Sequence, residues 1–390
     1  MKITFISNFH NHHQIPLCDA FLSMQGVSFA FIATERVPDD RIKFGYKHEF
    51  DHLPYYQEAI EESDRIAAER LCFESDVVII GSAPTWFVKR RLKARKLTFS
   101  YNERWFKQGF WRHPGDVLRA VQNYTLRNNR SFYQLCASAY TAYDSNRVLA
   151  FPRRKYRWGY FPEVKKYADV STVIASKQPA SILWVARFLD WKHPEAAVEL
   201  ARRLKASDVP FTLKMIGTGE EEGAIRERIA QYGLEDSVQM LGSMSPEEVR
   251  EHMEASRIFL FTSDFGEGWG AVLNEAMNSG CAVVASHAIG SVPYLVEHGK
   301  NGFVYTSGND GELFDCVMRL LSDEALSARL GEQAYRAMIE KWNAEVAAER
   351  LMRLCTAALE GDKLPDYSDG PVSRDFGKVK GNGKLKRKKH

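Results

Sequence analysis

The sequence predicts an α/β protein of two facing domains, each a parallel sheet with helices on both faces. Two observations carry this reading. Short apolar runs alternate with helical patterns in both halves, and 390 residues give room for two or three domains and a large core. In the first half the strand-like runs are Ile3 to Ile6, Phe29 to Ile32, Val77 to Ile80, Leu97 to Tyr101 and Tyr133 to Cys136. In the second half they are Ile182 to Val185, Phe211 to Ile216, Val238 to Leu241, Ile258 to Phe261 and Ala282 to Ala285. Two Rossmann-like domains follow.

Proline and glycine interrupt any regular pattern from Phe151 to about Pro179, which places the boundary there and divides the chain into 1–165 and 166–345. Ligands of open α/β sheets bind at the carboxyl ends of the strands, so facing domains put the site in the cleft between them. Leu326 to Glu340 and Ala344 to Leu359 read as long helices. Residues 362–390 are polar and rich in lysine and glycine, and read as a basic disordered tail.

Six cysteines lie far apart without paired metal spacing, which reads as reduced core thiols in a cytosolic protein. The start lacks the apolar stretch of a signal peptide and no run reaches transmembrane length, so a cytoplasmic protein with at most peripheral membrane contact is expected. The net charge of +3 is unevenly spread: roughly +8 over residues 1–165, roughly +5 over 362–390, and therefore about 3 − 8 − 5 = −10 between them. An anionic partner for the first half is expected.

The segment from Asp264 to Met277 holds Glu267 in a Gly-rich loop after the apolar run Ile258 to Phe261, and Glu275 in a helical pattern from Trp269 onward, about two turns deeper. Carboxylates so placed suit sugar hydroxyls, while free N–H groups at a helix start face an anion such as diphosphate. In Ile182 to Pro194, Arg187 and Lys192 flank the turn after a strand, where two cations can neutralise a departing diphosphate. Gly217-Thr218-Gly219 lacks the third glycine of a dinucleotide fingerprint and reads as a tight strand-to-helix turn at the cleft.

Taken in order, Arg187…Lys192, Met215-Ile216-Gly217-Thr218-Gly219-Glu220, Leu241-Gly242, Phe265-Gly266-Glu267-Gly268-Trp269-Gly270…Glu275-Ala276-Met277 and Gly290…Pro293…Asn301-Gly302-Phe303 resemble the donor domain of family 4 glycosyltransferases, over roughly residues 180–345. That resemblance implies the GT-B fold and retaining transfer from a nucleotide-diphosphate sugar, with no metal and no cofactor beyond that co-substrate. It implies that Arg187 and Lys192 bind diphosphate, Glu267 the transferred sugar and Glu275 the ribose. Phe265, Gly266, Gly268, Trp269, Gly270 and Gly217 would surround the donor, with Leu241 and Met244 beside the base. It also implies that the last helix, 346–361, crosses back to brace the first domain.

The first half departs from the family pattern. The loop after the first strand is Asn8-Phe9-His10-Asn11-His12-His13-Gln14-Ile15-Pro16 rather than Gly-rich, and His13 is its expected cleft residue. Where the family commonly has a histidine, this chain has Asn102-Glu103-Arg104; either Glu103 or Asn102 takes that role, or Glu103 forms a structural ion pair of the Glu103–Arg104 type. Phe87 to Lys96 reads as a basic helix suited to an anionic membrane surface, with a merely solvated face as its alternative and nucleic acid disfavoured for want of a module. Trp105, Phe106, Phe110 and Trp111 read as core, or else as the lining of an acceptor channel. The expected activity is sugar transfer to a glycan or lipid-linked acceptor in bacterial surface-polysaccharide biosynthesis. The alternatives are an epimerase or phosphorylase on the same fold, and a non-catalytic nucleotide-sugar or membrane-binding module.

Overall fold

The computed structural model describes residues 1–38, 50 and 52–379. Two all-parallel sheets form it. The first contains β1 (Lys2–Ser7), β2 (Ser28–Ala33), β3 (Tyr56–Glu58), β4 (Val77–Ile80), β5 (Thr98–Asn102), β6 (Phe132–Cys136) and β7 (Lys155–Arg157), in the order β3-β2-β1-β4-β5-β6-β7. The second contains β8 (Gln178–Val185), β9 (Thr212–Ile216), β10 (Val238–Gly242), β11 (Ser256–Phe261), β12 (Ala282–Ser286) and β13 (Phe303–Tyr305), in the order β10-β9-β8-β11-β12-β13. The strand order reverses at β1/β4 and at β8/β11. The loops after β1, β8 and β11 therefore open onto the crevices where such sheets bind ligands. They carry His13, the pair Arg187 and Lys192, and Glu267.

All ten expected runs are strands. β3, β7 and β13 were missed because each is three residues long and stands at a sheet edge, where polar side chains such as Lys155 and Arg157 blur any apolar pattern. One apolar cluster runs from Phe5 and Phe99 in the first sheet, through Trp158 and Phe161 of the connecting segment, to Trp269 and Trp342 beside the second. The domains thus share a core. Each large side chain buried there is worth roughly 1.5–3 kcal/mol, so separating the domains is costly.

The helices Glu324–Glu340 and Ala344–Glu360 lie where the periodicity placed them. Asn343 caps the second by accepting from Val346 N, and Gly361 ends it at φ 78°, a left-handed turn. This helix packs on Ile15–Leu22 of the first domain, so the crossing back is real.

The chain after residue 362 corrects an expectation. Up to residue 379 it is ordered rather than a tail, and residues 380–390 lie outside the described residues. Arg374 bridges antiparallel to Tyr156 of β7, Val372 is fully buried, and buried Asp375 accepts from Tyr294 Oη of the second domain and from Gly377 N. Only a few apolar and charged anchors among glycines and aspartates hold it, so average composition misses them.

The basic run is also corrected. It is α-helical only over Lys89–Lys93, after a 3-10 turn over Thr85–Val88, and Arg91 is buried rather than a surface cation. Arg91 donates to the carbonyls of Cys72, Ser75, Asp76 and Leu97 and to Thr98 Oγ1, tying the edge of one helix to β5. Lys89, Arg90, Lys93 and Arg95 remain exposed.

Candidate active site

The loop after β11 is held from three directions. Trp184 Nε1 donates to Thr262 Oγ1 at 2.9 Å, and Thr262 Oγ1 donates to Lys192 O at 2.6 Å, so β8, β11 and the turn carrying Lys192 are locked together. Asp264 N donates to Trp191 O at 3.0 Å. Glu267 then pairs directly with Lys192 Nζ and accepts from Ser263 Oγ at 3.2 Å. Both charges are largely buried, so each depends on the other. Burial pulls the Lys192 ammonium below its ordinary range, Glu267 pushes back, and the positive fields of Arg187 and Lys107 lower it further.

Arg187 is set by glycine packing rather than by its own turn. A side-chain carbon at Gly217 (φ 133°) would overlap Ala186 O, and one at Gly219 (φ 159°) would overlap Phe188 O. The Gly217-Thr218-Gly219 turn therefore lies flush on the loop that presents Arg187, and Phe188 N donates to Thr218 O at 2.9 Å. Gly217 acts through its backbone. Leu241 and Met244 are partly buried against the core at the end of β10.

Glu275 sits higher than expected. The helix is Val272–Asn278, so Glu275 is in its first turn and not two turns deep, because Gly270 takes φ 85° and delays the helix start. Burial pushes the Glu275 carboxyl up to about 7, against the pull of Arg250. The Trp269 ring is fully buried against Gly159, and its Nε1 donates to Asn274 Oδ1 at 3.0 Å. Only its main chain can face a ligand. Gly266, Gly268 and Gly270 line the same loop, and Phe265 stands edge-on to Tyr140 of the first domain at 5.3 Å and to His287 at 5.5 Å.

From the first domain, Glu103 reaches this loop. A carbon added at Gly268 would overlap its Oε2. Lys107 Nζ donates to Glu103 Oε2 at 2.6 Å, and Tyr160 Oη to Oε1 at 2.7 Å. The ion-pair alternative takes a different partner: Glu103 pairs with Lys107, whereas Arg104 pairs with Asp144 (3.5 Å), which also accepts from Trp105 N and Phe106 N. Asn102 turns away: its Oδ1 accepts from Ser100 Oγ at 2.7 Å and Gln134 Nε2 at 3.4 Å, making it part of the sheet end. His13 stacks 6.2 Å from Tyr160, with Nδ1 buried and unbonded, and burial beside His12 holds it neutral with a pKa lowered to about 3. Phe106 is core, Trp105 and Phe110 pack beside it, and Trp111 is exposed, so those aromatics line no common channel.

Glu267, Lys192, Glu103 and the Gly266–Gly270 loop are thus brought together. Lys107, Tyr160 and His193 were not anticipated. His193, at φ 52° before Pro194, lies 2.7 Å from Glu195 and 3.6 Å from Asp264, and those carboxylates raise it to about 10. As a cation it braces the loop that carries Glu267. Its neighbour Asp264 was visible in the motif, but the approach across 71 positions was not.

Two facing Rossmann-like domains with this cleft are the GT-B fold. The structure of Anabaena HepE in complex with UDP superimposes with a TM-score of 0.68 at 17% identity, covering 92% of this chain and 100% of that one. The apo form of the lipopolysaccharide outer core galactosyltransferase WaaB gives 0.62 at 18% identity, covering 87% and 98%. Residues 170–337 match the family model described as glycosyl transferases group 1, and the second domain belongs to that family. Over 166 residues the chain is 35% identical to the putative colanic acid biosynthesis glycosyltransferase WcaL of Salmonella typhimurium, covering 41% of this chain and 37% of that protein. Over 156 residues it is 35% identical to the amylovoran biosynthesis glycosyltransferase AmsK of Erwinia amylovora, covering 39% and 38%. The chain spans little more than a third of the length of these curated relatives.

Proposed function

We propose that the protein is a retaining glycosyltransferase that moves a sugar from a nucleotide-diphosphate donor to a glycan or lipid-linked acceptor in bacterial surface-polysaccharide biosynthesis. The observation that carries this reading is the Lys192–Glu267 pair, set beside Arg187 in a group 1 domain and faced across the cleft by Glu103. Arg187 and Lys192 neutralise the leaving diphosphate in place of a metal, Glu267 holds hydroxyls of the transferred sugar and Glu275 the ribose. The acceptor hydroxyl attacks on the face the diphosphate leaves, through an oxocarbenium-like transition state, and a phosphate oxygen takes its proton. Glu103 orients that hydroxyl from the acceptor side. The exposed Lys89, Arg90 and Lys93 beside half-exposed Trp86 support docking on an anionic membrane face. Among the described residues no helix is long and apolar enough to cross a membrane.

The test is a panel of nucleotide-sugars with purified protein, read first by thermal shift and then by product stereochemistry in the presence and absence of a chelator. A stabilised complex that releases a retained product without metal is expected. Epimerised donor, or release that requires inorganic phosphate, overturns the reading. Flotation with anionic and neutral liposomes tests the docking; equal flotation removes it.

A further inference from the structure

Two buried or half-buried ion pairs meet at one point of the cleft. Lys192 is paired with Glu267 on the second domain, and Lys107 with Glu103 on the first. Glu103 Oε2, the oxygen that Lys107 holds, is also the atom packed against Gly268, next in the chain to Glu267. Lys107 is therefore delivered to the same loop as Lys192, from the opposite wall. Its side chain is 37% exposed, whereas Lys192 is 12% exposed, so Lys107 is the cation with freedom to reorient.

We propose that Lys107 is a further donor-binding cation, supplied by the first domain, that exchanges Glu103 for a phosphate oxygen of the nucleoside diphosphate when the cleft is loaded. This rests on the donor reading above. Each lysine is neutralised by a carboxylate of its own domain. A diphosphate brings two anionic groups to the loop shared by Arg187 and Lys192, where Lys192 is already paired with Glu267, and Lys107 approaches that loop from the opposite wall. The exchange has a second effect. Glu103 gives up its lysine, keeps the Tyr160 hydroxyl, and has Oε2 open to accept from an acceptor hydroxyl. Lys107 thereby makes acceptor binding conditional on donor binding.

The test is isothermal titration of UDP, GDP, dTDP and ADP into the 390-residue chain and the variants Lys107→Met, Lys107→Arg, Glu103→Gln and Arg187→Ala. For whichever nucleotide binds wild type, Lys107→Met should weaken the dissociation constant about tenfold, Lys107→Arg should restore most of it, and Glu103→Gln should bind as tightly as wild type or tighter. Combining Lys107→Met with Glu103→Gln should keep the loss, which a lysine acting only to orient Glu103 would not produce. If Lys107→Met binds within about twofold of wild type while Arg187→Ala is impaired, this inference fails and the donor reading stands. If no nucleotide binds wild type, or Arg187→Ala binds equally well, both fail.

Discussion

The carboxylate of Glu103 lies against the main chain of Gly268 across the domain boundary, leaving no space for a side chain at 268. Gly268→Ala must therefore part the walls or push Glu103 and Lys107 aside. Displacement on the scale of one methyl group costs about 10²-fold when reacting groups must be aligned. Transfer rate is expected to fall by about that factor with the melting temperature little changed, and hydrogen exchange should rise around residues 102–107. Wild-type turnover in Gly268→Ala would show that this contact is not used in the working state.

Glu267→Gln keeps the shape of the loop and removes the counter-charge of a buried lysine. Turnover should drop by about 10²–10³-fold, the range seen when a preorganised polar group is lost. Breaking one side of a buried pair also costs about 3–5 kcal/mol, measurable by chemical denaturation. Lys192→Met, added to Glu267→Gln, should recover part of that stability without recovering activity.

Glu275 gives a pH signature. Its folded-state value, about 7, lies above the ordinary 4.5, so the native protein holds this proton more tightly than the unfolded chain. That contribution is fully present below pH 4.5 and is lost as pH rises through 7, leaving a desolvated charge. The stability gain of Glu275→Gln should be absent near pH 4.5, grow towards pH 7 and level off at no more than about 3 kcal/mol. Thermal melts of the two proteins at pH 5 and pH 8 check it. The same variant should bind nucleotide-sugar more weakly at either pH.

Asp375 is buried between the domains with Tyr294 donating to it. Asp375→Ala removes that acceptor and leaves the hydroxyl with Ser138 O at 3.2 Å, so it should cost about 0.5–1.5 kcal/mol of unfolding free energy. A urea transition unmoved by the substitution would mean that the segment contributes nothing to holding the domains.

The second-domain half of the cleft was legible because strand, loop and helix follow one another locally, so the spacing of Arg187, Lys192, Glu267 and Glu275 fixes their placement. Even there, the left-handed backbone of Gly270 moved the helix start and with it the depth of Glu275. The Trp269 ring fills a buried pocket against Gly159 in which Asn274 Oδ1 takes its N–H, a cross-domain packing that the motif alone does not reveal. The first-domain half was harder to read. Glu103 stood where a different residue type was expected, and its real partners were Lys107, four positions on, and Tyr160, 57 positions on. Arg91 shows the opposite error: a cation inside a basic run became an internal cross-link because five acceptors converge on it.

The antiparallel bridge between Tyr156 and Arg374 closes one rim of the first sheet, continued by Val372 N to Arg157 O and Asp375 N to Lys155 O. β7 would otherwise present a row of open amides and carbonyls, which is a template for pairing with another chain. The last described stretch is thus a guard against self-association as well as a brace. Protein shortened before residue 370 would be expected to lose solubility at high concentration even where its cleft remains intact.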